Sequence, residues 1–154
     1  MSAGSDVGPP EGAGLEVHHA HGARQLSEEK VRAAVAAVCA GERVRVRDLG
    51  VVLADRSLVH ELNREWLGHD WPTDVVSFGL DEGAAARGEL DGEVYVDLDT
   101  AAERAPEFGA TAEREALRYV VHGVLHLAGH DDATDAGRAA MRALEDRYLD
   151  AAGV

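Results

Sequence analysis

Residues 111–132 read TAEREALRYVVHGVLHLAGHDD, a stretch that combines a long helical pattern with metal-ligating side chains. We predict a helix that ends at Gly129, because glycine readily adopts the left-handed turn that stops a helix. Residues four apart share one helix face, so His122 and His126 can direct two imidazoles at one metal ion. The turn then allows Asp132 to reach the same point. Two nitrogens and one carboxylate oxygen leave a fourth position open, which is typical of a catalytic zinc site.

Gly123, the residue after the first histidine, separates this sequence from the zinc peptidases. In their motif His-Glu-x-x-His, the glutamate at that place acts as the general base. Glycine has no side chain that can accept a proton. The sequence therefore argues against a peptidase.

The length and composition predict one globular domain. The chain has 154 residues and a net charge of −14, from 15 basic and 29 acidic side chains. We predict a disordered leader over residues 1–14, rich in glycine, serine and proline, and a single domain over residues 15–154. The acidic balance argues against a protein that coats nucleic acid, and no apolar run approaches the roughly 18 residues that span a membrane. One cysteine, Cys39, and no secretory signal favour the reducing cytoplasm.

Hydrophobic periodicity and helix-start residues predict an α+β fold in the order β-α-β-α-β-β-α-α-α. About four strands form a small mixed sheet that packs with about five helices, one of which carries the His-x3-His pair. We expect Gly41 to end the first helix. The predicted strands cover Leu15–His19, Arg43–Ala54, Thr73–Phe78 and Gly92–Asp97. The predicted helices cover 28–40, 56–67, 98–106, 111–128 and 134–151.

The second predicted strand begins with valines that alternate with arginines. Val44 and Val46 belong to one face, and Arg43, Arg45 and Arg47 belong to the other. Two interpretations stay open at this point. The arginines form either a solvated face or a patch that contacts phosphates in an otherwise acidic protein.

Three motifs give the sequence a family resemblance. The run His-Gly-x-Leu-His-Leu-x-Gly at residues 122–129, with Asp132 ten residues after the first histidine, resembles the YbeY family. The runs Pro-Thr-Asp-Val-Val-Ser-Phe at 72–78 and Leu-Asp-Gly-Glu-Val-Tyr-Val at 90–96 resemble two strands of the same family. The resemblance covers about residues 50–150.

The resemblance implies a bacterial ribosomal-RNA maturation factor. Members are endoribonucleases that cleave single-stranded RNA and carry one zinc ion. For this chain it implies hydrolysis of phosphodiester bonds in ribosomal RNA, in small-subunit maturation and ribosome quality control. It further implies the small ribosomal subunit as a partner in the cytoplasm, with no role for DNA or a membrane.

The chain departs from the family at four positions, one of which is Glu93, where the family has an aspartate of the same charge. Many members have histidine where this chain has Asp132, which is also a competent ligand. Most members have tyrosine at His130. An arginine that matters for RNA cleavage in the family aligns with Leu67, and we predict that Arg64, one helical turn earlier, binds the phosphate instead.

The general base stays open. The candidates are His130, Asp131, His69 and Asp70. We place His130 and Asp131 with Arg64 in the predicted catalytic set, beside the metal ligands His122, His126 and Asp132.

Two other functions remain as alternatives. One is a zinc hydrolase that acts on another substrate class, such as peptides or small amides. The other is a ribosome assembly factor without catalytic activity, in which the zinc is structural. The open fourth position favours catalysis, whereas the leucine at the family's arginine position favours the assembly factor.

Overall fold

A computed structural model describes residues 14–67, 75–81, 83–130 and 132–154. The side chains of Trp66 and Leu67 are not among the described atoms. The predicted leader over residues 1–14 lies outside the described residues apart from Gly14, so it stays a prediction.

The described residues contain four strands in one mixed sheet: β1 (Leu15–His19), β2 (Arg45–Ala54), β3 (Val75–Gly79) and β4 (Glu89–Asp97). Their order across the sheet is β1-β2-β4-β3. β2 pairs in parallel with both β1 and β4, whereas β3 pairs with β4 in the antiparallel direction. This confirms the predicted α+β domain with a small mixed sheet.

The same described residues contain five α-helices: α1 (Glu28–Glu42), α2 (Arg56–Leu67), α3 (Leu98–Arg104), α4 (Ala112–Leu127) and α5 (Asp135–Ala151). Side-chain oxygens cap the starts of these helices. Those of Ser27, Thr111 and Thr134 accept backbone N–H bonds at α1, α4 and α5, and Asp55 accepts one from Leu58 at α2, at 2.8 Å. Each cap satisfies a backbone donor that the helix itself leaves unpaired, which explains why the starts are predictable from sequence.

The sheet has apolar side chains on both faces. In β2, Val51 and Leu53 belong to the larger core, which includes residues of α1, α4 and α5. Val52 and Ala54 point to the other face and pack with Val59 of α2. This alternation with a period of two places α4 on one face of the sheet and α2 on the other.

Several element boundaries differ from the prediction: β2 begins at Arg45 rather than Arg43, and β3 ends at Gly79 rather than Phe78. The helix α1 continues through Gly41 to Glu42, and Arg43 takes the left-handed conformation with φ 58° that ends it. Gly41 lies under Tyr148 of α5, where an added Cβ would be only 2.2 Å from a ring carbon. Glycine is therefore required there for close helix packing rather than as a stop.

Two further differences concern the start of β4 and the end of α3. β4 begins at Glu89 rather than Gly92, because its backbone already pairs with β2 from Arg45 onward. The helix α3 is shorter than predicted, and a 3-10 helix over Ala105–Phe108 follows it.

Candidate metal centre

The helix α4 presents two histidines side by side. His122 and His126 are four residues apart, and their Nε2 atoms are 3.0 Å from each other. Both rings are partly exposed, with 22% and 33% of the side-chain surface accessible. The shared helix face predicted from their spacing is therefore present, and both imidazoles are accessible from solvent.

The turn after α4 brings a carboxylate to the same point. Gly129 has φ 106°, and the backbone N–H of His130 bonds to the carbonyl oxygen of Leu125 at 3.0 Å. Asp132 then places one carboxylate oxygen 3.2 Å from His122 Nε2 and the other 3.3 Å from His126 Nε2. The three side chains that the sequence predicts as ligands are thus brought together, with one ligand atom from each within 4.8 Å of the others.

The spacing of these atoms fits a zinc ion. Zinc bonds nitrogen and oxygen ligands at about 2.0–2.2 Å in a tetrahedron, so its ligand atoms lie about 3.3–3.5 Å apart. The observed separations of 3.0, 3.2 and 3.3 Å are close to that value. Two imidazole nitrogens and one carboxylate oxygen also form the donor set of catalytic zinc sites, which leave a fourth position open.

A buried carboxylate behind the site orients His122. Glu145 of α5 is only 4% exposed, and its Oε2 lies 2.6 Å from His122 Nδ1. A carboxylate acceptor at Nδ1 keeps the proton on that nitrogen and leaves the Nε2 lone pair free for a metal. Sequence reasoning missed Glu145. The available signal was a charged residue in the same helical stripe as the buried Met141 and Tyr148.

Arg118 in turn holds Glu145. The guanidinium of Arg118 donates to Glu145 at 3.3 Å and to Asp146 at 2.5 Å, and it lies 3.5 Å from Glu115. Burial lowers the pKa of Arg118, but its bonds to Asp146 and Glu145 outweigh that effect and raise the pKa overall. The Glu145 carboxylate is thus held between Arg118 on one oxygen and His122 on the other.

Gly123 lets α4 approach the sheet closely. A Cβ at this position would lie 2.4 Å from Val94 Cγ1, 3.0 Å from Ser77 Oγ and 3.1 Å from Val75 Cγ2. The Ser77 hydroxyl also donates to the Gly123 carbonyl oxygen at 3.2 Å. Gly123 therefore matters for packing as well as for the missing general base, because it sets the distance between the two histidines and the sheet.

The predicted catalytic residues have different positions. Arg64 is exposed near the end of α2, and no contact between it and the His122–His126–Asp132 group is found among the described residues. His130 lies two residues from Asp132, but its Nε2 bonds to Glu42 of α1 at 2.5 Å. Asp131 lies outside the described residues, as do His69 and Asp70.

Glu42 of α1 links His130 to Tyr148 of α5. The Tyr148 hydroxyl donates to its second carboxylate oxygen. Partial burial raises the pKa of Glu42, but the bonds from His130 and Tyr148 and the charge of Arg147 lower it more. Burial and the neighbouring Glu42 raise the pKa of Tyr148 to about 12.

Two surface cavities border the histidine pair. One of about 260 Å³ lies between α4 and α5 and is lined by His122 and Asp132, among others. The other, of about 250 Å³, lies beside His126, with Ser77 and Asp91 in its wall. The three-residue group is therefore accessible from two sides.

The arginines predicted to alternate along β2 are paired with acidic side chains. Arg45 bonds to Glu89 at 2.8 Å and Arg47 bonds to Asp81 at 3.1 Å. Arg43 is outside the strand and ends α1. The basic side chains on this face therefore have acidic neighbours, which agrees with the solvated-face interpretation.

Comparison with known proteins gives one consistent result. The family model described as Endoribonuclease YbeY matches residues 16–153. The Endoribonuclease YbeY of Salinibacter ruber is 50% identical, over 89% of this chain and 90% of its own. That of Chloroherpeton thalassium is 39% identical, over 82% of this chain and 86% of its own. The solution structure of TM1509 from Thermotoga maritima matches with a TM-score of 0.58 at 27% identity and covers 89% of each chain.

Within the part of the chain that the structure describes, no helix is both long and apolar enough to cross a membrane.

Proposed function

This chain belongs to the YbeY family of endoribonucleases, and from that premise we propose that it hydrolyses single-stranded RNA with one bound zinc ion. The observation that carries the proposal is the convergence of His122, His126 and Asp132 at zinc-like spacing on an accessible surface. We propose these three residues as the ligands. When bound, a zinc ion there supplies Lewis acidity to a phosphoryl oxygen and to a water molecule.

The residues of the chain then have separate tasks. Glu145 holds His122 with its Nε2 lone pair toward the ion, at the 2.6 Å bond described above. Arg64 is our candidate for the guanidinium that binds a phosphate of the substrate. It is exposed and lies just before the segment 68–74 in the chain.

Cleavage also requires proton transfer to the leaving oxygen. We propose His130 and Asp131 as the candidates. The position of His130, two residues from Asp132 in the turn after α4, supports the first of them, and its bond to Glu42 holds the ring in place.

The decisive experiment replaces one ligand. The variant His126→Ala should lose bound zinc and cleavage of a single-stranded RNA oligonucleotide together, because two ligands rarely hold zinc tightly. The matched control is His19→Ala, an exposed histidine of β1 outside the ligand group. Full zinc occupancy or unchanged cleavage in His126→Ala would contradict the proposal.

We further propose that the RNA is ribosomal, that the small ribosomal subunit is the partner, and that the protein acts in the cytoplasm. The assembly-factor alternative predicts that His126→Ala still supports normal processing of small-subunit RNA in cells that lack the wild-type gene. The catalytic proposal predicts accumulation of unprocessed precursor in the same cells. Digestion of casein by the zinc-loaded protein would instead favour the peptide-hydrolase alternative.

A further inference from the structure

The cavity between α4 and α5 joins the candidate metal ligands to a group of arginines. The residues that line it include His122 and Asp132 together with Arg138, Arg142 and Phe108. Arg138 and Arg142 are four residues apart on α5, so their side chains leave the same helix face. The cavity therefore places two guanidinium groups in the same depression as the candidate metal centre.

These guanidinium groups are less neutralised than those of β2. The part of the chain that the structure describes gives Arg142 no carboxylate partner, and its guanidinium carbon lies 4.6 Å from the centre of the Phe108 ring. Arg138 pairs with Asp135, whose side chain is 98% exposed. An ion pair of that kind is well hydrated and contributes little, so Arg138 can exchange it for another anion.

Phe108 explains why Arg142 stays in place without an acidic partner. Phe108 ends the 3-10 helix after α3 and is 42% exposed, so its ring is accessible at the edge of the cavity. A guanidinium over an aromatic face gains a cation–π attraction and keeps all its N–H donors available at its edges. The ring thus presents Arg142 to an anion in the cavity.

The negative charge of the whole protein makes the arginines of this cavity more important for RNA binding. The chain carries −14, so RNA is repelled by most of its surface. Binding then requires cations that can exchange their neighbours for phosphate next to the reacting group. The α4–α5 cavity offers Arg142 over an aromatic ring and Arg138 in an exposed ion pair, whereas the β2 arginines are already engaged with Glu89 and Asp81.

We propose that Arg138 and Arg142 of α5, the latter held over Phe108, bind backbone phosphates of the single-stranded RNA next to the bond that is cleaved. The inference rests on the proposed function, since it names further residues that bind the RNA substrate at the same site. It adds a phosphate-binding wall on α5 that is independent of Arg64 on α2.

The test compares charge reversals on one helix. In zinc-loaded protein, Arg142→Glu and Arg138→Glu should each raise KM for a single-stranded RNA oligonucleotide about tenfold or more, with kcat changed far less. The control is Arg147→Glu, which makes the same charge change on α5 outside the cavity wall and should leave KM nearly unchanged. Phe108→Leu keeps the apolar bulk but removes the ring face, and should raise KM by a smaller factor.

A binding measurement separates this inference from the proposed function. In the His126→Ala background the RNA should stay intact, and fluorescence anisotropy gives its affinity at several salt concentrations. Each lost phosphate contact should reduce the slope of log K against log salt by about 0.7. Equal affinities and slopes for Arg142→Glu and Arg147→Glu would overturn the inference, whether or not the wild-type protein cleaves RNA. Absence of cleavage by the wild-type protein would contradict only the proposed function.

Discussion

Replacement of Glu145 by glutamine tests whether the buried carboxylate behind His122 prepares the metal centre. The carboxylate has two tasks, because it accepts from His122 Nδ1 at 2.6 Å and from Arg118 at 3.3 Å. A glutamine amide has one acceptor oxygen and one donor nitrogen. It cannot perform both tasks in one orientation.

Each orientation of the glutamine has a definite cost. If the oxygen faces His122, the amide N–H groups face the guanidinium of Arg118, which is also a donor. If the nitrogen faces His122, the imidazole proton moves to Nε2 and blocks the lone pair that would bind zinc. Loss of such a partner typically weakens metal binding about 10- to 100-fold, which is about 1.4–2.7 kcal/mol.

The assay is zinc affinity by competition with a chromophoric chelator, with the free energy of unfolding of the metal-free protein measured in urea. We expect Glu145→Gln to lower zinc affinity by that factor and to destabilise the fold by about 1–3 kcal/mol, since Glu145 is buried. The matched control is Asp146→Asn. Asp146 also bonds to Arg118, but its side chain is half exposed and no contact with His122 is found among the described residues.

Comparison of the two variants shows whether the contact between Glu145 and His122 controls zinc affinity. Asp146→Asn should bind zinc as the wild type does. If Glu145→Gln also retains wild-type zinc affinity, the contact with His122 does not tune the ligand and the argument is wrong. If both variants lose affinity equally, the effect comes from Arg118 and the packing of α4 on α5 rather than from the histidine proton.

Three further predictions concern residues that hold the helices in place. Gly123→Ala should destabilise the protein by about 1–3 kcal/mol in urea unfolding, because its Cβ would overlap Val94, and it should also weaken zinc binding; unchanged stability would mean that the sheet can move away. Glu42→Gln should be less stable than the wild type at pH 7, and the difference should shrink as the pH falls below 4.5, the ordinary pKa of this carboxyl, and through its lowered pKa in the folded protein. The lowered folded pKa of Glu42 means that its bond with His130 stabilises above the ordinary value of 4.5 and is lost on protonation; a difference that is constant from pH 7 to pH 3 would contradict this. Asp55→Ala should cost about 1 kcal/mol through loss of the α2 cap, measured by thermal unfolding, whereas Asp55→Ser should restore most of it.

Local signals in the sequence account for much of the fold. The starts of α1, α4 and α5 follow from capping side chains at Ser27, Thr111 and Thr134, whose hydrogen bonds form within three residues. The pairing of His122 with His126 likewise follows from helix geometry. Such interactions depend on near neighbours, so composition and spacing are sufficient to predict them.

Contacts between distant parts of the chain explain what the sequence did not reveal. A glycine such as Gly41 is common at the end of a helix. Here its lack of a side chain instead makes room for the ring of Tyr148, more than 100 residues later in the chain. Glu145 and His122 are 23 residues apart on different helices, and only the packing of α5 on α4 joins them. The acidic partners of the β2 arginines depend on the sheet order, which no local pattern predicts.

During synthesis of the chain, His122 is made before Glu145, the residue that orients it. A chain synthesised as far as Asp132 already contains all three candidate ligands, but it lacks the helix that supplies both the orienting carboxylate and the proposed phosphate-binding arginines. Folding during translation proceeds from the N-terminus, so a nascent chain has the ligands before it has a prepared site. An enzyme that cleaves ribosomal RNA would thereby stay inactive while its own ribosome is still making it.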